Sequence, residues 1–205
     1  MDKYKFYGIF FLIIQAIVII RNYGDNYLFF FWYCDFVPIL LSIGFFIKKT
    51  NFIKALINVG FLPQILFLID FINNMITGKS LFLLTNELFS AGPFFIISTF
   101  VIHLSTSFAL LFTYKKEPNK RALYYSALIL VLIYAMTLSF TPSNGDVNFI
   151  YNSSNGLHDF VAYVPYYTEL WVFLAFVLLI LPTQLVQHII YKKFGIQSHS
   201  KRNDY

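Results

Sequence analysis

The sequence predicts an all-α fold: a polytopic membrane bundle of six transmembrane helices with both termini cytoplasmic. Three observations predict it. Of 205 residues, 58% are hydrophobic and only 12% charged, with a mean hydropathy of +0.65, far from a soluble domain. Apolar runs of about 17 to 25 residues, the length that crosses roughly 30 Å of hydrocarbon as a helix, recur six times. The Lys and Arg side chains fall on alternate loops, 13 on one side and 2 on the other, the bias that keeps basic loops in the cytoplasm.

The first run, residues 4–20, follows Lys3 and Lys5 and continues as IVIIRNYG without a small-x-small cleavage site, so it is expected to be retained as a helix. The second covers residues 27–47. The third, residues 52–72, carries Pro63-Gln64 at its middle. SLFLLTNELF, residues 80–89, is too short to cross and is expected at the interface or as a re-entrant piece. The fourth run, residues 93–113, contains His103, and the fifth covers 122–140. The sixth, residues 168–190, contains Pro182-Thr183-Gln184; this proline and Pro63 interrupt the backbone ladder where neighbouring polar groups must satisfy it. The outer loop, residues 141–167, has no Lys or Arg and includes Asn152-Ser153-Ser154, a glycosylation acceptor in a eukaryotic secretory pathway. Residues 191–205 form a cytoplasmic tail. Neither a linker nor an internal repeat divides the chain, so one membrane domain is expected.

The inner set comprises Lys3, Lys5, Lys48, Lys49, Lys54, Lys115, Lys116, Lys120, Arg121, Lys192, Lys193, Lys201 and Arg202; Arg21 and Lys79 make up the outer one. This distribution accounts for a pI of about 9.2 through anionic inner-leaflet lipids, without a nucleic-acid partner. Membrane lipids are the expected partners. A single cysteine rules out an intramolecular disulfide and a cysteine-based metal cage, and no metal or cofactor is expected.

The candidate chemistry starts from FFFWYCDFVPIL, residues 29–40, where Cys34 and Asp35 stand side by side in an apolar segment. With helices 2 and 4 both starting from the outer face, Cys34 and His103 lie roughly 10 and 15 Å below it, about one helical turn apart. Asp35, Asp70 and Glu169 belong to the same outer half, and ionisable groups there cost at least a few kcal/mol each unless they face the bundle interior or a wet cavity. One polar cavity open to the outer face is therefore expected. A cysteine becomes a nucleophile when a histidine takes its proton, and a carboxylate can orient that histidine. The same residues admit structural readings: Cys34 as a small buried hydrophobe, His103 as an interhelical hydrogen-bonding group, and Asp70 and Glu169 as boundary carboxylates. His158, His188 and His199 are expected to be solvated.

The order of these features resembles a family of six-helix integral membrane proteins, common among bacterial membrane proteins, that includes the animal transmembrane cysteine acyltransferase of ether-phospholipid remodelling. Lipid hydrolases of the androgen-induced type are more distant relatives. The residues that carry the resemblance are WYC, ending in Cys34, where the family has His-x-Cys; FFIISTFVIHLSTSFALLFTY, residues 94–114, with its single histidine; NFIYN, residues 148–152; and YVPYYTELW, residues 163–171. Trp32 stands where the family has histidine, and the family's Pro-Asp after helix 3 is absent. The resemblance implies that Cys34 is the acyl-accepting nucleophile and His103 its base. Asp35, Asp70, Gln64, Asn148 and Glu169 are the candidate substrate-binding residues. Pro63-Gln64 is also similar to the paired Pro-Gln motif of small sugar and amino-acid carriers, though it occurs once.

Three functions follow as alternatives. The first is a lipid acyltransferase or acyl-ester hydrolase working through Cys34. The second is a small-solute transporter or channel that uses Asp35, Asp70 and His103 as a polar pathway. The third is a non-catalytic membrane protein of assembly or signalling.

Overall fold

A computed structural model describes residues 2–23, 27–82, 84–85, 88–143, 147–151 and 166–195. Helix α1 spans Lys3–Arg21, started by the Asp2 carboxylate, which accepts the Tyr4 N–H at 3.2 Å. A 3₁₀ turn, Tyr27–Phe31, precedes α2, Tyr33–Phe46. Helix α3 runs from Thr50 to Thr77 and ends at Gly78, whose left-handed φ of 70° releases the chain. The fourth span is broken into α4, Pro93–His103, and α5, Ser105–Thr113. Helix α6 is Lys120–Phe140, capped by Asn119. The last span consists of α7, Tyr167–Ala175, a π-helical turn Phe176–Ile180, α8, Leu181–Ile190, and a second π turn Tyr191–Gly195. No strand occurs among the described residues.

Five spans are long and apolar enough to cross a membrane: Lys3–Arg21, Thr50–Thr77, Pro93–Thr113, Lys120–Phe140 and Tyr167–Gly195. Helix α2 is apolar but only 14 residues long. It therefore rises about 21 Å, and the 3₁₀ turn before it adds about 10 Å of path. The expected helix over 27–47 thus begins six residues late. Its start is set from elsewhere in the chain: Asn148 accepts the Tyr33 N–H at 2.8 Å and donates to the Phe31 carbonyl at 2.8 Å. Asn148 performs this from a left-handed conformation, φ 57°.

Helices α1 and α2 form an antiparallel hairpin whose contacts step along both. Ser42 Oγ donates to the Gly8 carbonyl at 2.8 Å, Gln15 Oε1 accepts the Ile39 N–H at 3.0 Å, and Arg21 meets Asp35. The Gln15 contact falls next to Pro38, which has no N–H to give to the helix ladder. Helix α3 lies at the centre, packed against α2, α5, α6 and the last span. At the end where α1 starts, Tyr4, Tyr7, Phe45 and Phe112 stack with ring centroids 4.8 to 6.4 Å apart. The outward faces stay apolar, as at Phe6, Ile13 and Ile20 on α1 and Phe173, Leu178 and Leu185 on the last span.

The two ends of the bundle differ. Tyr4 reaches Thr50 and Phe112, and Tyr114 reaches Phe194, so the basic residues flanking these positions gather at one end. Arg21, Asn148 and the 80–85 turn lie at the other. Two cations do not fit the surface count: Arg21 is buried in an ion pair, and Lys54 is fully buried inside the bundle. Excluding them leaves, among the described residues, ten basic residues on one side and Lys79 on the other.

Candidate functional site

The hairpin register brings the end of α1 onto the first turn of α2. Arg21 Nη2 donates to Asp35 Oδ2 at 2.5 Å, Asn22 Nδ2 donates to the same oxygen at 2.9 Å, and Arg21 Nε donates to Asn22 Oδ1 at 2.9 Å. The guanidinium also packs over the Phe95 ring, 5.2 Å from its centroid. Its third nitrogen, Nη1, donates to Thr99 Oγ1 on α4 at 3.2 Å. One turn further along α4, His103 Nδ1 lies 2.8 Å from the Thr99 carbonyl. A carbonyl oxygen only accepts, so Nδ1 carries a proton, and in the neutral form of the ring the lone pair is on Nε2. The imidazole stacks on Phe67 of α3, centroids 3.6 Å apart.

The thiol joins the other end of this chain. Cys34 Sγ is 3.7 Å from Asp35 Oδ1, a sulfur contact, and Cys34 itself is partly exposed. Cys34, Asp35, Arg21, Thr99 and His103 thus form one connected polar series across α1, α2 and α4. The acceptor beside the thiol is Asp35; Cys34 and His103 share no hydrogen bond among the described residues. The carboxylate divides its work, one oxygen held by helix α1 and the other facing sulfur.

His103 also marks the break in the fourth span. The Thr106 N–H and hydroxyl both donate to Gln64 Oε1 on α3, at 3.2 and 2.6 Å, and Ser105 Oγ donates to the Ile102 carbonyl at 2.5 Å. Side chains have taken over the ladder positions around Leu104. Gln64 is therefore a structural clamp at the break, while its Nε2 is buried without a partner among the described residues. In the last span, the π turn Phe176–Ile180 precedes Pro182, where the ladder loses a donor.

The remaining sequence candidates lie apart from this series. Asp70 accepts from Ser80, Thr85 and the backbone N–H groups of Leu81, Phe82 and Leu84, at 2.5 to 3.1 Å. Both of its oxygens are committed to the turn after α3. Asn148 holds the start of α2 and also donates to Thr137 Oγ1 at 3.1 Å. Glu169 is exposed on the first turn of α7. Asn152, His158 and His199 lie outside the described residues, and His188 is half-buried on α8. Among the described residues, no three His, Cys, Asp or Glu side chains cluster to hold a metal ion.

Comparison with family models, with curated proteins and with solved structures found no match to this chain.

A second polar cluster lies toward the basic end. Lys54 Nζ donates to Gln187 Oε1 at 3.1 Å, and Gln187 Nε2 donates to Asn58 Oδ1 at 2.6 Å and to the Lys54 carbonyl at 3.2 Å. Asn58 Nδ2 donates to Ser126 Oγ at 3.1 Å and to Gln184 Oε1 at 2.8 Å. Sequence reasoning missed Arg21, Asn22 and Thr99 at the first site and Lys54, Asn58 and Gln187 at the second. Arg21 was legible in principle: an arginine closing one apolar run and an aspartate opening the next face each other across a helical hairpin.

Proposed function

We propose that the chain is an integral multi-pass protein of the cell membrane, with both termini cytoplasmic, whose buried polar series from Asp35 to His103 is the outer part of a path for a small polar solute or ion. The observation that carries this reading is the Arg21–Asp35 pair inside an apolar bundle, joined through Thr99 to a histidine at a helix break. Charged groups at membrane depth are costly and mark pathways and relays, and broken helices build the binding sites of transporters. Polar residues continue along α3 through Gln64 and Asn58 to Lys54, toward the basic end. The ten-to-one distribution of surface cations among the described residues supports the orientation.

The test is flux through proteoliposomes that trap proton-sensitive and chloride-sensitive dyes or release potassium. Wild-type protein is expected to carry at least one of these ions, and the Arg21→Met/Asp35→Leu pair is expected to stop it. Absence of flux for all three, or equal flux in the double variant, overturns the path.

A second reading rests on the fixed tautomer of His103. With Nδ1–H on the Thr99 carbonyl, Nε2 is free to act as a base. In that reading the Cys34 sulfur attacks the carbonyl of a lipid ester, the thiol proton passes to Nε2 and then to the departing alcohol, and a thioester forms. This is the chemistry that the family resemblance implies. An acyl-directed probe that labels wild-type protein, and labels neither Cys34→Ser nor His103→Ala, supports it; labelling that survives both variants overturns it.

A further inference from the structure

Lys54 is the unusual residue of the second cluster. It sits five residues into the 28-residue α3, with 0% of its surface exposed, in the interior of a bundle whose outer faces are apolar. The two ion pairs among the described residues, Arg21–Asp35 and Lys48–Asp2, involve other cations, so Lys54 has no carboxylate partner there. Among the described residues its ammonium makes one hydrogen bond, to a neutral amide oxygen. A buried charge is tolerated when it is paired and hydrogen-bonded.

The neighbours make the balance one-sided. The amide oxygens of Gln187, Asn58 and Gln184 each already accept a donor from within the cluster. An ammonium has three donors, of which Lys54 uses one. Thr183 Oγ1, on the same face of α8 one turn before Gln187, is fully buried and has no hydrogen-bond partner among the described residues. Unused donors on the ammonium and the hydroxyl, together with a positive charge that no carboxylate offsets, call for a ligand that accepts and that carries one negative charge.

We propose that Lys54, with the Thr183 hydroxyl as a second donor, binds a small monovalent inorganic anion of the chloride class; the Asn58 and Gln187 amides, whose N–H groups are already donated, hold the cluster in place. The size follows from the enclosure of Lys54, and the charge from its single uncompensated cation. This inference deepens the path reading by naming a solute class at its basic end, but binding is measured without flux, so the two fail separately.

The experiment uses the full chain in detergent, with chloride NMR linewidth and thermal unfolding measured in sodium chloride and in sodium gluconate at equal ionic strength. Wild-type protein is expected to broaden the chloride line saturably and to unfold a few degrees higher in chloride, as ligand linkage requires. Lys54→Met is expected to lose both effects. Thr183→Val, which removes a hydroxyl and keeps the volume, is expected to weaken chloride binding roughly tenfold, the change in affinity worth one lost polar contact. No saturable broadening in the wild type, or broadening unchanged in Lys54→Met, overturns the site. If Lys54→Met does not fold, Thr183→Val decides: weakened binding supports the site and unchanged binding overturns it. Saturable binding without flux of any of the three ions in proteoliposomes overturns the path and leaves the anion site standing.

Discussion

Replacing Arg21 by methionine leaves the Asp35 carboxylate inside the bundle with only Asn22 and Cys34 as partners. Breaking a buried pair from one side typically costs about 3–5 kcal/mol, because the remaining charge stays desolvated. Arg21→Met is therefore expected to lose about that much stability in mixed-micelle unfolding, while Arg21→Met/Asp35→Leu recovers most of it. Additive losses in that cycle would show that the pair does not interact as described. Arg21→Lys is expected to fall between the two. A single ammonium cannot hold Asn22, Asp35 and Thr99 from three separate nitrogens as the planar guanidinium does. The residue types at this site were legible in the sequence: a thiol, a carboxylate and an imidazole at similar depth. Their order was not, because it depends on Arg21, which reads in sequence as an ordinary cation at the end of a span.

The elements are held by side chains distant in sequence. Asn148 fixes the first turn of α2, and Asn148→Ala leaves the Tyr33 N–H and the Phe31 carbonyl without their partner. A loss of about 1–3 kcal/mol is expected for such orphaned groups. The first turn should fray, and the lone cysteine reports it: thiol-reagent modification of Cys34 is expected to be faster in Asn148→Ala than in wild type. An unchanged rate would mean that Asn148 does not set the start of α2. At the basic end, the hydrogen bond from Lys48 holds the Asp2 carboxyl below its usual range, and the same contact holds the Lys48 ammonium above its own. Asp2 contributes above its unfolded pKa and stops contributing as pH falls through the lowered folded value. Lys48 contributes below its unfolded pKa and stops as pH rises through the raised one. The N-terminal turn is thus expected to be tethered across the neutral range and released at both extremes. Amide exchange at Tyr4 should follow that profile in wild type and be flat in Asp2→Asn. Both groups face solvent, so the effect is local.

At the scale of the whole molecule, composition and run length were enough to indicate an all-helical bundle of long apolar spans, because those properties are set by the solvent and not by particular partners. Pro182 likewise announced irregular backbone, and a π turn precedes it. The break at Leu104 carried no proline and no glycine. It depends on Gln64 taking the Thr106 N–H, a tertiary contact that periodicity does not encode. Asp70 shows the same limit: an aspartate near a helix end reads as a boundary residue or as part of a pathway, and only the fold reveals five donors from one turn closing around it. The orientation is tested by substituted cysteines in a Cys34→Ser background. Positions 144–155 are expected to react with an impermeant reagent on intact cells, and Lys116→Cys and Lys193→Cys only after permeabilisation; the reverse pattern inverts the topology. The most direct test of the central claim compares ion flux in proteoliposomes for two substitutions at adjacent positions. The account predicts that Asp35→Asn, verified as folded, stops flux while Cys34→Ser leaves it nearly unchanged; flux untouched by Asp35→Asn, with acyl-probe labelling lost in Cys34→Ser, would contradict it.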